Sequence, residues 1–292
     1  MIKIKFEEIF EKYNIENTPI SRNIMKCMIR AMKKQSLSDI KGQYCYIDTS
    51  TFEYLIEILI KLNKYFDFFY SLKNDLILMF EYLINAKLLG EKISFNAFFC
   101  PGYNMMGGYK EKLGNTTVTK LSVLSEISKM FSELKVPYEI NCYYCDTFIE
   151  NTDTAKNKNW QSELELNRSL FIVEAQKYFD DKNIFCISKI KQFQCDNVSG
   201  YIDYNIVDNV PHKIYNSFYV ANKVFYEKMN YSAEKIKDRN DTLVTMYIIV
   251  SNYINTIKNG VYLPMENMYD REKIIANNGT CTMYLKQNKG KG

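Results

Sequence analysis

The stretch Ile93-Ser-Phe-Asn-Ala-Phe-Phe-Cys-Pro-Gly102 is where the chain changes its period. Ile93 to Cys100 is a short run of apolar and aromatic residues closed by Pro101-Gly102, the pattern of a buried strand leaving a sheet. A loop punctuated by Gly102, Gly107, Gly108 and Gly114 follows. Leu121, Leu124, Ile127, Phe131 and Leu134 then recur at helical spacing, and Val136 to Tyr144 returns to a β-type run. Strand, loop, helix, strand is the unit of a parallel sheet, with right-handed crossovers expected.

Working outward, a polar linker at 151–159 precedes a helix from Trp160 to Phe179, and Asn183 to Ile190 reads as a third strand. Residues 195–211 carry mixed signals and are read as loops or a β-hairpin. Helices are expected at Lys213–Lys228 and Asp241–Lys258, and a last strand or hairpin within 261–285. Upstream of Gly90 the pattern is helical. Thr18-Pro19 starts a helix to Gln35, Ser50-Thr-Phe-Glu53 matches a capping box for a helix to Leu72, and a third helix runs from Lys73 to Leu89. A short strand is read at Gln43–Ile47. The whole is an α/β protein: a helical block at 1–90, a Rossmann-like three-layer parallel sheet at 91–285, and a disordered tail at 286–292.

Composition bounds the function. The 292 residues are 47% hydrophobic and 15% aromatic, enough to fill a large core. The eight cysteines lack the regular spacing of a disulfide scaffold, and no basic-then-apolar leader opens at Met1, so reduced thiols and a cytoplasmic location are expected. The apolar stretches at Thr51–Tyr70 and Leu243–Ile257 are interrupted by charged or polar residues, so no membrane span is expected. A net charge of +4 with five arginines argues against a sequence-reading nucleic-acid protein.

The glycine loop is the first candidate site. In doubly wound sheets the loop after the first strand borders the ligand crevice, and the following helix N-terminus offers unpaired N–H groups to an anion. Gly107, Gly108 and Gly114 would let backbone approach a phosphate, with Thr116 and Thr117 adding hydroxyls. The same residues read equally as a loop closed by a threonine N-cap, since neither dinucleotide nor P-loop spacing is present. Asp146, ending the second strand, reads as a ribose acceptor or as a turn cap. Glu150 and Asp153 nearby read as cation ligands or as solvated loop carboxylates.

Cys142-Tyr-Tyr-Cys145 with Cys186 and Cys195 has the wrong spacing for a four-thiolate zinc site and reads as buried structural cysteines. Cys100, beside the loop, is the thiol to test for reactivity. His212 is the only histidine, which excludes multi-histidine metal sites. Tyr262-Leu-Pro-Met-Glu266, with Tyr269 and Arg271, is a late polar cluster read as closing over a ligand or as a strand edge with a surface ion pair.

Ile93-Ser-Phe-Asn96, the crossover, Asp146 and the late Tyr-x-x-x-Glu together resemble the tRNA-dependent cyclodipeptide synthases, whose fold is that of class I tRNA-synthetase catalytic domains. The resemblance implies that Ser94 receives an aminoacyl group, that Asn96 lies beside it, and that Tyr262 and Glu266 position and deprotonate the substrate amine. The chain departs from that pattern in having Lys92 where the family has glycine, and Pro264 between Tyr262 and Glu266. The function expected is a group-transfer enzyme (a transferase) binding a nucleotide, adenylate or aminoacyl-type small molecule at the C-terminal edge of the sheet, with tRNA as an implied partner and no cofactor identified. The alternative is a non-enzymatic interaction or effector protein docking through its helical N-terminal block.

Overall fold

The computed structural model describes residues 6–38, 49–68, 72–99, 113–146, 160–189, 204–227, 230–255, 257–264 and 281–286. Among these, α1 (Phe6–Lys12), α2 (Pro19–Ser38), α3 (Thr49–Leu62) and α4 (Lys73–Leu89) precede β1 (Ile93–Phe99). Then come α5 (Asn115–Glu133), β2 (Tyr138–Tyr144), α6 (Trp160–Gln176), β3 (Ile184–Cys186), α7 (Tyr204–Asp208), α8 (His212–Glu227), α9 (Ala233–Asn255), β4 (Gly260–Leu263) and β5 (Cys281–Thr282).

Thr18 starts α2 by reciprocal capping: the Ser21 N–H donates to Thr18 Oγ1 at 3.1 Å while the Thr18 N–H donates to Ser21 Oγ at 2.8 Å. Ser50, read as the N-cap of a capping box, is already helical, since α3 begins at Thr49. It accepts the Lys87 ammonium, while Glu53 pairs with Lys12 at 3.0 Å. That helix also ends at Leu62 rather than Leu72, because Phe66 leaves it to form an antiparallel bridge with Leu285. Gly90 ends α4 in the left-handed conformation at φ 67°, where a side chain is strained.

The sheet has five strands in the order β3-β2-β1-β4-β5, all parallel. In register, Ser94 lies opposite Glu139 and Gly260, and Asn96 opposite Asn141 and Tyr262. The edge strand β5 is tied down by α4: the Thr282 N–H donates to Asp75 Oδ1 at 3.2 Å, and Cys281 Sγ to the Asp75 carbonyl at 3.3 Å. Gly260 permits a close approach, since a Cβ there would meet the Ile257 carbonyl oxygen at 3.0 Å and Asn96 Nδ2 at 3.5 Å.

One hydrophobic core joins α1 to α6 with one face of the sheet, through Ile93, Phe95, Ala97, Phe99, Ile140, Cys142, Val261 and Leu263. The helices α1 to α4 therefore pack onto the sheet. The buried side chains of α7 to α9 (Val207, Phe218, Ile236 and Val244) and the sheet residues Phe98, Tyr143 and Tyr262 lie outside that cluster, on the second side. Three layers result, as the sequence implies.

Several expectations need correction. Within 195–211, residues 204–208 form the helix α7 rather than a hairpin, α9 begins at Ala233 rather than Asp241, and β3 keeps only three residues. Lys286, expected to begin a disordered tail, donates its N–H to the Tyr65 carbonyl at 2.7 Å. The strand read at 43–47, the linker at 151–159 and residues 287–292 lie outside the described residues.

Candidate active site

The strand order reverses direction at β1: the chain builds β1, β2 and β3 outward on one side, then returns to place β4 on the other. Between the C-terminal ends of β1 and β4 is the topological switch point, the place where open parallel sheets ordinarily bind ligands. Strand carbonyls at that edge have no further strand to bond. Lys120, from α5, fills the place: its ammonium donates to the carbonyls of Phe98 at 2.8 Å, Leu263 at 3.2 Å and Pro264, and lies 4.9 Å from the centre of the Phe99 ring. A fixed positive charge therefore stands at the switch point.

Helix α5 begins above it. Its N-cap is Gly114, in extended conformation, with no side-chain cap, so neither Thr116 nor Thr117 is the cap residue. Thr116 is exposed and Thr117 half-buried in the first turn. The uncapped amide end and the Lys120 ammonium both favour negative charge at this edge. Gly107, Gly108 and Glu266 lie outside the described residues, as do Cys100, Glu150, Asp153, Cys195, Tyr269 and Arg271.

Asp146, just past β2, is buried and accepts the Arg168 Nε at 2.8 Å from α6. Burial alone would lower the Arg168 guanidinium, but Asp146 beside it holds it above its ordinary value. Arg168 also bonds Glu165. The Asp146 carboxylate is thus paired with a cation on the neighbouring helix.

Ser94, Asn96 and Tyr262 share the second face of the sheet. Ser94 lies near the start of β1, so about 16 Å of strand separates it from the C-terminal edge at a rise of roughly 3.3 Å per residue. It is buried, and its hydroxyl donates to Glu139 Oε1. Asn96 donates to the Ser94 carbonyl at 3.1 Å and accepts Asn141 Nδ2 at 3.3 Å; Asn141 in turn accepts Asn183 Nδ2 at 3.0 Å. One row nearer the C-terminal edge, Phe185, Tyr143 and Phe98 stack at 4.9 Å centroid spacings, and Tyr262 tilts against Phe98 at 5.0 Å. The residues named from sequence thus form two groups: Ser94, Asn96 and Tyr262 under the second face, and Gly114, Thr116, Thr117 and Asp146 toward the C-terminal edge.

Lys120, Arg168, Glu139 and Asn141 are absent from the sequence reading. Lys120 had a signal: it falls on the sheet-facing stripe of its helix, four residues before Leu124 and seven before Ile127. The alternation Glu139, Asn141, Tyr143 within β2 was likewise legible as a polar face.

The five described cysteines (Cys27, Cys142, Cys145, Cys186 and Cys281) are buried thiols outside any disulfide. Burial raises the Cys142 thiol to about 12 and Cys186 to about 11, which keeps both protonated and unreactive. Among the described residues no cluster of His, Cys, Asp or Glu is arranged to hold a metal. His212 is exposed at the start of α8, against Asn216. No helix among the described residues is long and apolar enough to cross a membrane.

No family model and no curated protein matches the chain. Solved structures that resemble it include the family named from sequence. A cyclodipeptide synthase from Staphylococcus haemolyticus is 13% identical, at TM-score 0.41, over 71% of this chain and 97% of that one. One from Bacillus thermoamylovorans is 11% identical, at TM-score 0.42, over 67% and 89%. The PvcA protein of Pseudomonas aeruginosa is 12% identical, at TM-score 0.49, over 80% and 83%. Likeness at this level assigns no reaction to the residues above.

Proposed function

We propose that this chain is a group-transfer enzyme that holds an aminoacyl- or adenylate-type substrate in the crevice between β1 and β4. The observation that carries the reading is the Lys120 ammonium, fixed by three strand-end carbonyls at the switch point and overhung by an uncapped helix N-terminus. Acyl transfer places negative charge on the carbonyl oxygen under attack, and a preorganised cation and amide dipoles lower that barrier. The resemblance to tRNA-dependent cyclodipeptide synthases supplies the substrate class, with Tyr262 and Glu266 placing the acceptor amine and taking its proton. Ser94, held lower on the same face and bonded to Glu139, is in this reading a structural hydroxyl of the sheet rather than the acyl acceptor.

The test uses the full chain and tRNA charged with radiolabelled amino acids, following release of label from tRNA into small products. Lys120→Met should reduce transfer by about 10²-fold or more, the scale of losing an electrostatic stabiliser, while Ser94→Ala stays within a few-fold of the parent. The double variant Thr116→Val, Thr117→Val, with the parent's melting temperature, should lose the thermal stabilisation given by adenylate or charged tRNA. Full activity in Lys120→Met, or no transfer and no stabilisation with any charged tRNA, adenylate or nucleotide, rejects the reading.

A further inference from the structure

Near its N-terminal end, α9 carries a buried arginine two of whose nitrogens have no hydrogen-bond partner. Arg239, in the second turn of α9, is 8% exposed. Its Nε and Nη2 are buried and have no hydrogen-bond partner, and it forms no ion pair among the described residues. The Asp241 carboxylate close by in sequence is already taken by the Tyr215 hydroxyl and by the Lys237 ammonium at 2.7 Å. Arginine does not lose its proton in proteins, so the charge stays. A buried charge without a counter-charge is strongly unfavourable.

The two bare nitrogens are informative because of which two they are. Nε–H and one N–H of Nη2 point in parallel from the same edge of the guanidinium, and that edge is the one that takes two oxygens of an oxyanion at once. The guanidinium is also held in place: its Cζ lies 5.9 Å from the centre of the Tyr226 ring, Tyr226 stacks on Tyr231 at 5.1 Å, and the Lys235 ammonium lies 4.1 Å from the Tyr231 ring centre. Two cations one helical turn apart on α9 thus sit against two stacked rings. The Tyr231 hydroxyl is a further buried group in this cluster without a partner.

We infer that Arg239 is the fork of a binding site for an oxyanion, a phosphate or carboxylate group, on the first two turns of α9 beside Tyr226 and Tyr231. The anion supplies the missing counter-charge and accepts Nε–H and Nη2–H together. The site stands independently of the crevice between β1 and β4, and binding here is read without any transfer activity.

The experiment is thermal unfolding and calorimetric titration of the full chain, dialysed into an anion-poor buffer, with inorganic phosphate, pyrophosphate and acetate at constant ionic strength. The parent should show saturable stabilisation. A response to phosphate or pyrophosphate with acetate inert identifies a phosphate group, and an equal response to acetate identifies a carboxylate. Arg239→Lys keeps the charge and loses the fork, so its affinity should fall at least tenfold. Arg239→Met removes the uncompensated charge: it should melt above the parent without anion and show no response to any of the three, an outcome a purely structural arginine would not give. The site is overturned if none of the anions stabilises the parent saturably, if Arg239→Met responds as the parent does, or if Arg239→Met melts below the anion-free parent. Loss of transfer activity with the phosphate response intact counts against the crevice alone.

Discussion

The two faces of this sheet are built from the same three strands, yet they solve different problems. On one face Phe95, Ala97, Phe99, Ile140, Cys142, Val261 and Leu263 meet the helices α1 to α6 in one continuous apolar core. On the other, one residue along each strand, Ser94 bonds Glu139, Asn96 bonds Asn141, and the rings of Tyr143, Phe98 and Tyr262 pack against one another. Parallel strands buried on both faces ordinarily read as unbroken apolar runs. Here the first face supplies the hydrophobic driving force, while the second buries polar side chains that are tolerable only because they satisfy one another. Register is the lesson. A slip of one residue would put Ser94 and Asn96 into the apolar core and Phe95 among the asparagines, so the polar face specifies the pairing that the apolar face stabilises.

The largest effect should come from the apolar face. Phe95 is fully buried, 5.2 Å from Phe131 and 6.4 Å from Phe66 between ring centres. Phe95→Ala removes that contact area and leaves a cavity, for a loss of about 3–5 kcal/mol in chemical denaturation. A loss near 1 kcal/mol would mean that this face does not carry the stability assigned to it.

Much of this division was legible in the chain. The run at 93–100 and the stripe Leu121, Leu124, Ile127 and Phe131 announce strand and helix because their periods differ, and the parallel sheet follows from their order. Harder to read were features fixed by partners distant in sequence. Phe66 leaves its helix because Leu285 pairs with it, and Glu53 is paired with Lys12, forty-one residues away in sequence. α7 at 204–208 and the early start of α9 lie in a stretch with weak periodicity, where tertiary packing decides. Gly114, Thr116, Thr117 and Asp146 fall toward the C-terminal edge, but Ser94 sits low on β1, because a motif gives spacing without saying how much of the strand lies beyond it.

Asp75 supplies the intermediate case, a polar group at the sheet edge that is only half satisfied. Its Oδ1 accepts the Thr282 N–H, while its buried Oδ2 has no partner. Burial pushes its carboxyl from 3.8 to about 6, against the opposing pull of those backbone donors. Between these values the folded chain holds a proton that the unfolded chain has released, so stability falls as pH rises from about 4 to 6 and stays low above that. Asp75→Asn can keep the acceptor and removes the charge. It should be more stable than the parent at pH 7.5 by on the order of 2–3 kcal/mol and lose this part of the pH slope. Identical pH–stability curves for variant and parent would show that Asp75 is ionised without penalty.

The smallest effect belongs to the asparagine ladder, and it bears most directly on the contrast between the faces. Asn96 is as buried as Phe95, so burial alone would predict similar costs. But Asn96→Ala deletes few apolar atoms; what it does is leave the Asn141 amide, which donates to Asn96 Oδ1 at 3.3 Å, without that acceptor. The expected loss is about 1–2 kcal/mol, the penalty of a buried polar group left unmet. Asn141→Ala should cost a similar amount, and the double variant less than the sum by about 1 kcal/mol, since the second deletion removes the group that the first one orphaned. Additive losses in that cycle would mean that the two amides are each satisfied elsewhere, and the polar face would then be a row of independent residues rather than a ladder that sets the register.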